Sequence, residues 1–130
     1  MTRAPDQAIY DLVYARAKKL GYTVYTHTPP EGVPYPFVRM GETYLFPRAT
    51  KTRLFGRVVQ TVSIWGSYID RKLVSDMACS LIKDLSRSNL VIDGTKFTLR
   101  FEATTTDLLP DHTSAEDLWQ ALVKLEFLIL

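Results

Sequence analysis

Hydrophobic and polar residues alternate between Arg57 and Trp65, and this period of two predicts a β-strand. The residues on its predicted buried side are β-branched with one amide among them: Val58, Gln60, Val62 and Ile64. After Gly66 the apolar spacing becomes helical, which predicts an amphipathic helix from Arg71 to Leu85. Its predicted stripe comprises Leu73, Val74, Met77, Ala78, Leu81, Ile82 and Leu85. Residues 57–85 therefore predict the strand–helix core of an α+β fold.

A helix and two strands are predicted before this core. The predicted segments are a helix at Pro5–Leu20, a strand at Tyr22–His27 and a strand at Phe37–Phe46. Pro5 suits a first helical turn, where its missing N–H costs no hydrogen bond, and Gly21 suits a helix C-terminus. Four prolines between Thr28 and Pro36 exclude regular structure there. Gly41 predicts a bulge or bend within the second strand.

A hairpin and a polar loop are predicted after the core. Asp93-Gly94 is typical of a two-residue turn, here between Leu90–Ile92 and Thr95–Ala103. Phe97, Leu99 and Phe101 share one predicted face of the second strand. Thr104–Ser114 predicts a polar loop around Pro110.

The last segment, residues 115–130, fits two patterns. As a helix it aligns Leu118, Leu122 and Leu125. As a strand it alternates over a longer stretch, so we favour a strand from about Trp119, with a helical turn possible at Ala115–Asp117. The strand would place Gln120, Lys124 and Glu126 on its polar side. The whole pattern predicts an antiparallel or mixed sheet with two main helices packed on it.

Composition narrows the class of protein without naming a chemistry. The chain has 130 residues, 46% hydrophobic, which fits one domain at 1–130 with a core of its own. A net charge of +2 argues against a dedicated nucleic-acid binder. The single cysteine, Cys79, excludes an intrachain disulfide and fits a reducing cytosol. We expect no signal peptide and no membrane span, since no apolar run approaches about 18 residues.

Candidate catalytic and metal-binding residues are sparse. His27 and His112 are the only histidines, and neither has a second histidine or a cysteine at ligand spacing, so we expect no metal site. Cys79 lies away from the helical stripe without a predicted base partner, which predicts a surface or interface thiol. The six glycines are isolated, so no phosphate-binding loop is predicted. We predict no catalytic residue and no cofactor.

One loop concentrates positive charge. Pro47–Gly56 is predicted as a polar loop that contains Arg48, Lys51 and Arg53 and no acidic residue. It ends in Leu54 and Phe55, which are costly to expose and indicate packing back or contact with a partner. We therefore predict an assembly surface formed by Arg48, Lys51, Arg53, Leu54 and Phe55. A solvated loop, and a loop that contacts phosphates, remain alternatives.

Four features together resemble a known family. They are the opening helix, the stretch Pro34-Tyr-Pro-Phe-Val-Arg-Met-Gly-Glu42, the loop ending in Lys51-Thr-Arg53, and the Val58–Trp65 strand with its Leu73–Leu85 helix. This combination, over residues 5–103, resembles the tail-completion or tail-terminator proteins of long-tailed bacteriophages and prophages, also called tail-to-head joining proteins.

The resemblance implies a structural virion protein without enzymatic activity or cofactor. Such a subunit forms a ring, typically a hexamer, at the head-proximal end of the tail tube. The ring ends tube polymerisation, meets the tail tube protein and the head completion or stopper protein, and lets DNA pass through its lumen. The implied location is the head–tail interface of the virion, after assembly in the bacterial host cytoplasm.

Two other functions compete with this one. A small nucleic-acid-binding module would use the basic loop at residues 48–57, with Tyr44, Phe46 and Phe55 as stacking groups. A small enzyme would depend on Cys79 or a histidine. Salt-dependent DNA binding distinguishes the first of these from a structural subunit, and mutation of the named residues tests the second.

Overall fold

The fold, in a computed structural model that describes residues 3–49, 54–87, 90–112 and 117–130, has two helices and a seven-stranded mixed sheet. The helices are α1 (Pro5–Lys19) and α2 (Arg71–Arg87). The strands are β1 (Val24–Tyr25), β2 (Phe37–Ala49), β3 (Leu54–Ser67), β4 (Leu90–Ile92), β5 (Thr95–Leu99), β6 (Thr105–Asp111) and β7 (Leu118–Ile129). Their order is β1-β2-β3-β7-β5-β4, and β6 also pairs with β7. The predicted α+β class is confirmed.

Both helices pack against one face of the sheet. The alternation in β3 is confirmed, because Val58, Gln60, Val62 and Ile64 are fully buried. They join one core with the inward residues of β7 and the buried stripes of α1 and α2. Among the described residues, no helix covers the opposite face of the sheet.

The strand interpretation of the C-terminal segment is confirmed. β7 runs antiparallel to β3 in an unbroken ladder from Gly56 opposite Ile129 to Ser67 opposite Leu118. The possible helical turn at Ala115–Asp117 lies largely outside the described residues. Glu126, predicted on the polar side of this strand, is nevertheless buried, with 5% of its surface exposed.

The predicted polar loop at Thr104–Ser114 is wrong, because residues 105–111 form β6. This strand pairs antiparallel with β7, from Thr105 opposite Lys124 to Asp111 opposite Leu118. A single 3₁₀ turn, Phe101–Ala103, separates β6 from β5. β6 is mostly exposed, so local hydrophobic periodicity did not reveal it, and its pairing with β7 decides its structure.

The predicted loop at Pro47–Gly56 is also shorter than expected. β2 continues to Ala49 and β3 begins at Leu54, so the two strands form a long hairpin. The positive φ of Gly56, +127°, accommodates a close approach to the carbonyl oxygen of Phe46. A Cβ atom at this position would be 2.1 Å from that oxygen.

Two hydrophobic residues expected in the core are exposed instead. Leu73, in the first turn of α2, is 44% exposed. Phe101 is 59% exposed, because the 3₁₀ turn takes it out of the alternation of β5. Phe97 and Leu99 are buried as predicted.

The bulge predicted at Gly41 is confirmed, since the register of β2 against β3 shifts between Met40 and Thr43. The buried side-chain amide of Gln60 stabilises this bulge. Its Nε2 donates to the Gly41 carbonyl at 3.2 Å, and its Oε1 accepts from the Thr43 hydroxyl at 2.5 Å. Gln60 is therefore tolerated in an apolar core because its hydrogen-bonding groups are satisfied.

Candidate assembly surface

The helix-free face of the sheet forms a shallow hollow of about 620 Å³. Its lining combines basic, aromatic and aliphatic side chains of β2, β3 and β7, including Arg39, Tyr44, Phe46, Arg57, Val59, Leu122 and Lys124. Tyr44 and Phe46 are 46% and 44% exposed, which is high for aromatic residues in a sheet. Exposed aromatic rings among charged side chains are typical of a contact site for another macromolecule.

The aromatic residues of this face are held in place by polar neighbours. The guanidinium of Arg57 lies 4.2 Å from the centre of the Phe46 ring, a cation–π contact. The rings of Tyr44 and Phe46 are stacked with centres 6.5 Å apart. The Tyr44 hydroxyl donates to Glu42, and this bond raises the pKa of Tyr44. Both rings are therefore oriented before any partner arrives.

A buried carboxylate joins this face to the end of β5. Glu126 accepts a hydrogen bond from Arg57 at 2.7 Å and one from Arg100 at 3.1 Å. Its side chain is 7% exposed, so its desolvation is offset by two guanidinium partners. Arg100 also donates to Glu102 at 2.8 Å, which lowers the pKa of Glu102 and raises that of Arg100. The sequence had placed Glu126 on a polar face without indicating these partners.

Between the end of β5 and the start of β6, Thr104 forms hydrogen bonds to the backbone of Arg100 and of Glu126. The Thr104 hydroxyl donates to the Arg100 carbonyl at 2.7 Å and accepts from the Glu126 backbone N–H at 3.3 Å. The Arg100 N–H donates to the Glu126 carbonyl at 2.8 Å. The ion pairs of Glu126 therefore lie where β7 changes its neighbour from β5 to β6.

The predicted assembly residues lie at the end of the β2–β3 hairpin. Arg48 and Phe55 are opposite each other in the ladder and line a second hollow of about 580 Å³ with Phe46, Arg57 and Leu128. Lys51, Arg53 and the side chain of Leu54 lie outside the described residues. The hairpin extends past β7, whose ladder with β3 ends at Gly56 opposite Ile129.

Comparison with solved structures finds the same fold in phage-related particles. A chain from the virion of a native gene transfer agent particle has a TM-score of 0.69 at 16% identity, covering 97% of this chain and 94% of its own. The gp17 protein of bacteriophage SPP1 has a TM-score of 0.62 at 19% identity, covering 96% and 91%. No protein-family model and no curated protein matches the sequence. At these identities the likeness establishes a shared fold.

The other candidate groups are not brought together. His112 pairs with Asp117 at 2.9 Å, and His27 contacts the Thr26 hydroxyl at 3.4 Å. Cys79 is exposed on α2, as predicted. No three metal-binding side chains cluster among the described residues.

In the same part of the chain, no helix has the length and apolar character to cross a membrane.

Two further apolar surfaces were not predicted. Tyr68, Ile69 and Leu73 are exposed at the β3–α2 turn, where the Trp119 indole donates to the Tyr68 carbonyl at 3.2 Å. Beneath the proline-rich loop, Tyr35 stacks on Phe37 with ring centres 5.6 Å apart. The only signal for either surface was the presence of aromatic residues beside a turn.

Proposed function

We propose that this chain is a structural protein of a phage or phage-like virion that forms a ring at the head-proximal end of the tail tube. The ring ends tube polymerisation and joins the tail to the head connector, without enzymatic activity or cofactor. The observation that carries the proposal is the match to a gene transfer agent virion chain over 97% of this chain and 94% of that one. The resemblance of residues 5–103 to tail-completion proteins supports the same proposal.

The β2–β3 hairpin supports an assembly role. It projects past the end of β7, and the sequence from Thr43 to Ile69 contains four basic residues and no acidic one. A hairpin end whose charged residues are all basic suits contact with an acidic surface of a neighbouring virion protein. We therefore assign Arg48, Lys51, Arg53, Leu54 and Phe55 to an assembly surface of the proposed ring.

Gene deletion tests the proposed function directly. Without the chain, the particle-producing cell should accumulate heads without tails and tails of uncontrolled length, and expression in trans should restore joined particles. The purified chain should form a closed ring, measured by native mass spectrometry and seen by electron microscopy on the ends of tail tubes. Normal particles after deletion, or a strict monomer that ignores both tube and connector protein, would contradict the proposal.

Nucleic-acid binding is the second candidate, and the exposed ring pair Tyr44–Phe46 beside the basic hairpin favours it. Base stacking on such rings contributes about 1–3 kcal/mol per base. Binding to single-stranded DNA should then weaken steeply with salt and fall after Phe46→Ala. Affinity no higher than that of an unrelated protein of equal charge would exclude this candidate and leave passage of DNA through the lumen unaffected.

A further inference from the structure

Two long strand edges, on β2 and β6, have no partner strand within the described residues. β2 pairs with β3 on one side, and on the other with the short β1, which covers only Val38 and Arg39. β6 pairs with β7 alone. Unpaired edges present backbone N–H and C=O groups that another strand can bind. The outer strands β1 and β4 have only two and three residues, which limits pairing there.

The ladder determines which groups of β6 face outward. The backbone N–H and C=O of Glu126 both form hydrogen bonds on the side of β7 where β5 and β6 lie. The backbone groups of the even-numbered residues of β7 therefore point to that side. Their partners in β6 are the odd-numbered residues, as in Asp107 opposite Leu122. The backbone groups that point away from the sheet belong to Thr106, Leu108 and Pro110. Pro110 therefore loses no bond to β7, because its missing N–H is on the outer side.

The same reasoning applies to β2. The odd-numbered residues of β7 face β3 and pair with its even-numbered residues. The β2 residues opposite these even-numbered β3 residues therefore point their backbone groups away from the sheet. They are Thr43, Leu45 and Pro47. Each open edge presents a threonine N–H, a leucine N–H and then a proline without N–H. The prolines restrict pairing to a short segment of each edge.

We propose that the outer edge of β2 in one copy pairs with the outer edge of β6 in the next copy. The proposal rests on the ring function above and identifies the contact that builds the ring. β2, β3, β7 and β6 alternate in direction, because each neighbouring pair is antiparallel. Rotation about an axis near the strand direction therefore brings β6 antiparallel to β2 of the neighbour. Such a head-to-tail contact forms a ring when its rotation closes on the first copy.

The hydrogen-bonding groups of the two edges are complementary. With Leu45 opposite Leu108, each leucine N–H donates to the carbonyl of the other. The Thr43 N–H then donates to the Pro110 carbonyl, and the Thr106 N–H donates to the Pro47 carbonyl. All four outward donors are paired in this register, and both prolines act as acceptors.

The two sides of the paired edges match as well. Leu45 and Leu108 both pack against the core, so they lie on the helix side of their sheets. On the helix-free side, Phe46 is placed opposite Asp107 and Tyr44 opposite Leu109, which is 42% exposed. Pairing therefore covers exposed apolar side chains of both edges.

The charges of the two edges are opposite. Residues 105–111 of β6 include two aspartates and no basic residue, whereas residues 43–49 of β2 include one arginine and no acidic residue. In the same register Arg48 lies diagonally across from Asp107, within reach of an ion pair. Opposite charges favour β2–β6 pairing over β2–β2 or β6–β6 pairing.

Disulfide cross-linking tests the proposed contact. In a Cys79→Ser background, Phe46→Cys with Asp107→Cys places two thiols at a non-hydrogen-bonded pair, where the Cα atoms lie about 4.5 Å apart, within the range of a disulfide. Oxidation of the assembled chain should produce a series of covalently linked oligomers, the largest containing as many subunits as the ring. Phe46→Cys alone should give no linked dimer, and a dimer would indicate two-fold pairing and overturn the proposal. Phe46→Cys with Val91→Cys, which probes the edge of β4, should also give none.

A proline substitution provides a second, independent test. Thr106→Pro removes an outward N–H and no bond to β7, so it should abolish ring formation without lowering the unfolding midpoint of the monomer, whereas Thr106→Ala should assemble. If the wild-type ring completes tails but the Phe46→Cys/Asp107→Cys variant assembles without cross-links, or the Thr106→Pro variant still forms rings, the edge pairing is overturned and the proposed function stands. A wild-type chain that stays monomeric beside tail tubes contradicts the proposed function itself.

Discussion

The carboxylate of Glu126 and the guanidinium of Arg57 meet at 2.7 Å across neighbouring strands, with the Glu126 side chain 7% exposed. Arg100 approaches the other carboxylate oxygen at 3.1 Å. A buried charge in this position is tolerated because two cations face it, Arg57 from β3 and Arg100 from the residue after β5. The network connects the central β3–β7 ladder to the junction of β5 and β6.

We predict that the two arginines support Glu126 in a non-additive way. Arg57→Met or Arg100→Met alone should lower the urea midpoint only modestly, because one charged hydrogen-bond partner of Glu126 remains. The double variant should cost more than the sum of the two, since breaking a buried pair leaves an uncompensated charge worth about 3–5 kcal/mol. Urea unfolding of the double-mutant cycle measures this. Adding Glu126→Gln to the double variant should restore much of the loss, and strict additivity would contradict the model.

We predict an acid-sensitive contact at the Asp93–Gly94 turn. Arg3 donates to Asp93 at 2.9 Å and lowers the pKa of Asp93 to about 2. A carboxyl whose folded-state pKa is depressed contributes stability above its unfolded pKa of about 3.9 and loses that contribution as the pH falls toward the folded value.

The measurement for this prediction is the unfolding midpoint of the wild type and of Asp93→Asn between pH 5 and about 2. Asparagine tolerates the positive φ of 52° at this position, so the turn should be retained. The wild type should be more stable at pH 5, and the difference should vanish toward pH 2. A difference that stays constant over this range would contradict the assignment.

We predict that Gly56→Ala disrupts the base of the β2–β3 hairpin. A Cβ atom there would be 2.1 Å from the Phe46 carbonyl oxygen, at a φ of +127° that L residues rarely adopt. The expected loss is about 1–3 kcal/mol from backbone strain, with further loss from the clash. Gly32→Ala is the matched control, because its φ is also positive but no atom lies within 4 Å of the added Cβ. Equal losses for the two variants would show that the close approach is unimportant.

We predict that charge reversal at the hairpin blocks tail joining without unfolding the chain. Arg48→Glu, Lys51→Glu and Arg53→Glu together should leave the unfolding midpoint nearly unchanged, because Arg48 is exposed. Joined particles should fall at least tenfold in a complementation assay, since like charges would meet at the proposed contact.

The control for the hairpin variant reverses three positive charges on the helices instead of on the hairpin. Lys19, Lys83 and Arg87 are exposed on α1 and α2. Their triple substitution by glutamate should leave particle yield near that of the wild type. Loss of joining in the control alone, or in neither variant, would move the assembly surface away from the hairpin.

Sequence patterns predicted those elements whose side chains alternate between a buried and a polar face. β3 is one example, where Val58, Val62 and Ile64 were assigned to the core and are fully buried. β6 was missed because an edge strand with little buried surface has no such alternation. Of the candidate site, the sequence indicated the hairpin residues Arg48 and Phe55, whereas the ion pairs of Glu126 join residues far apart in sequence.

Periodicity in the sequence was sufficient to predict the α+β class, the strand–helix core at residues 57–85 and the C-terminal strand, because it indicates which side chains can be buried together. Only the folded chain shows that β6 pairs with β7, that Glu126 lies between Arg57 and Arg100, and that the edges of β2 and β6 have no partner strand within the described residues. These features depend on which strand becomes the neighbour of which. That choice is made by packing and backbone hydrogen bonding across the sheet, and local patterns do not contain it.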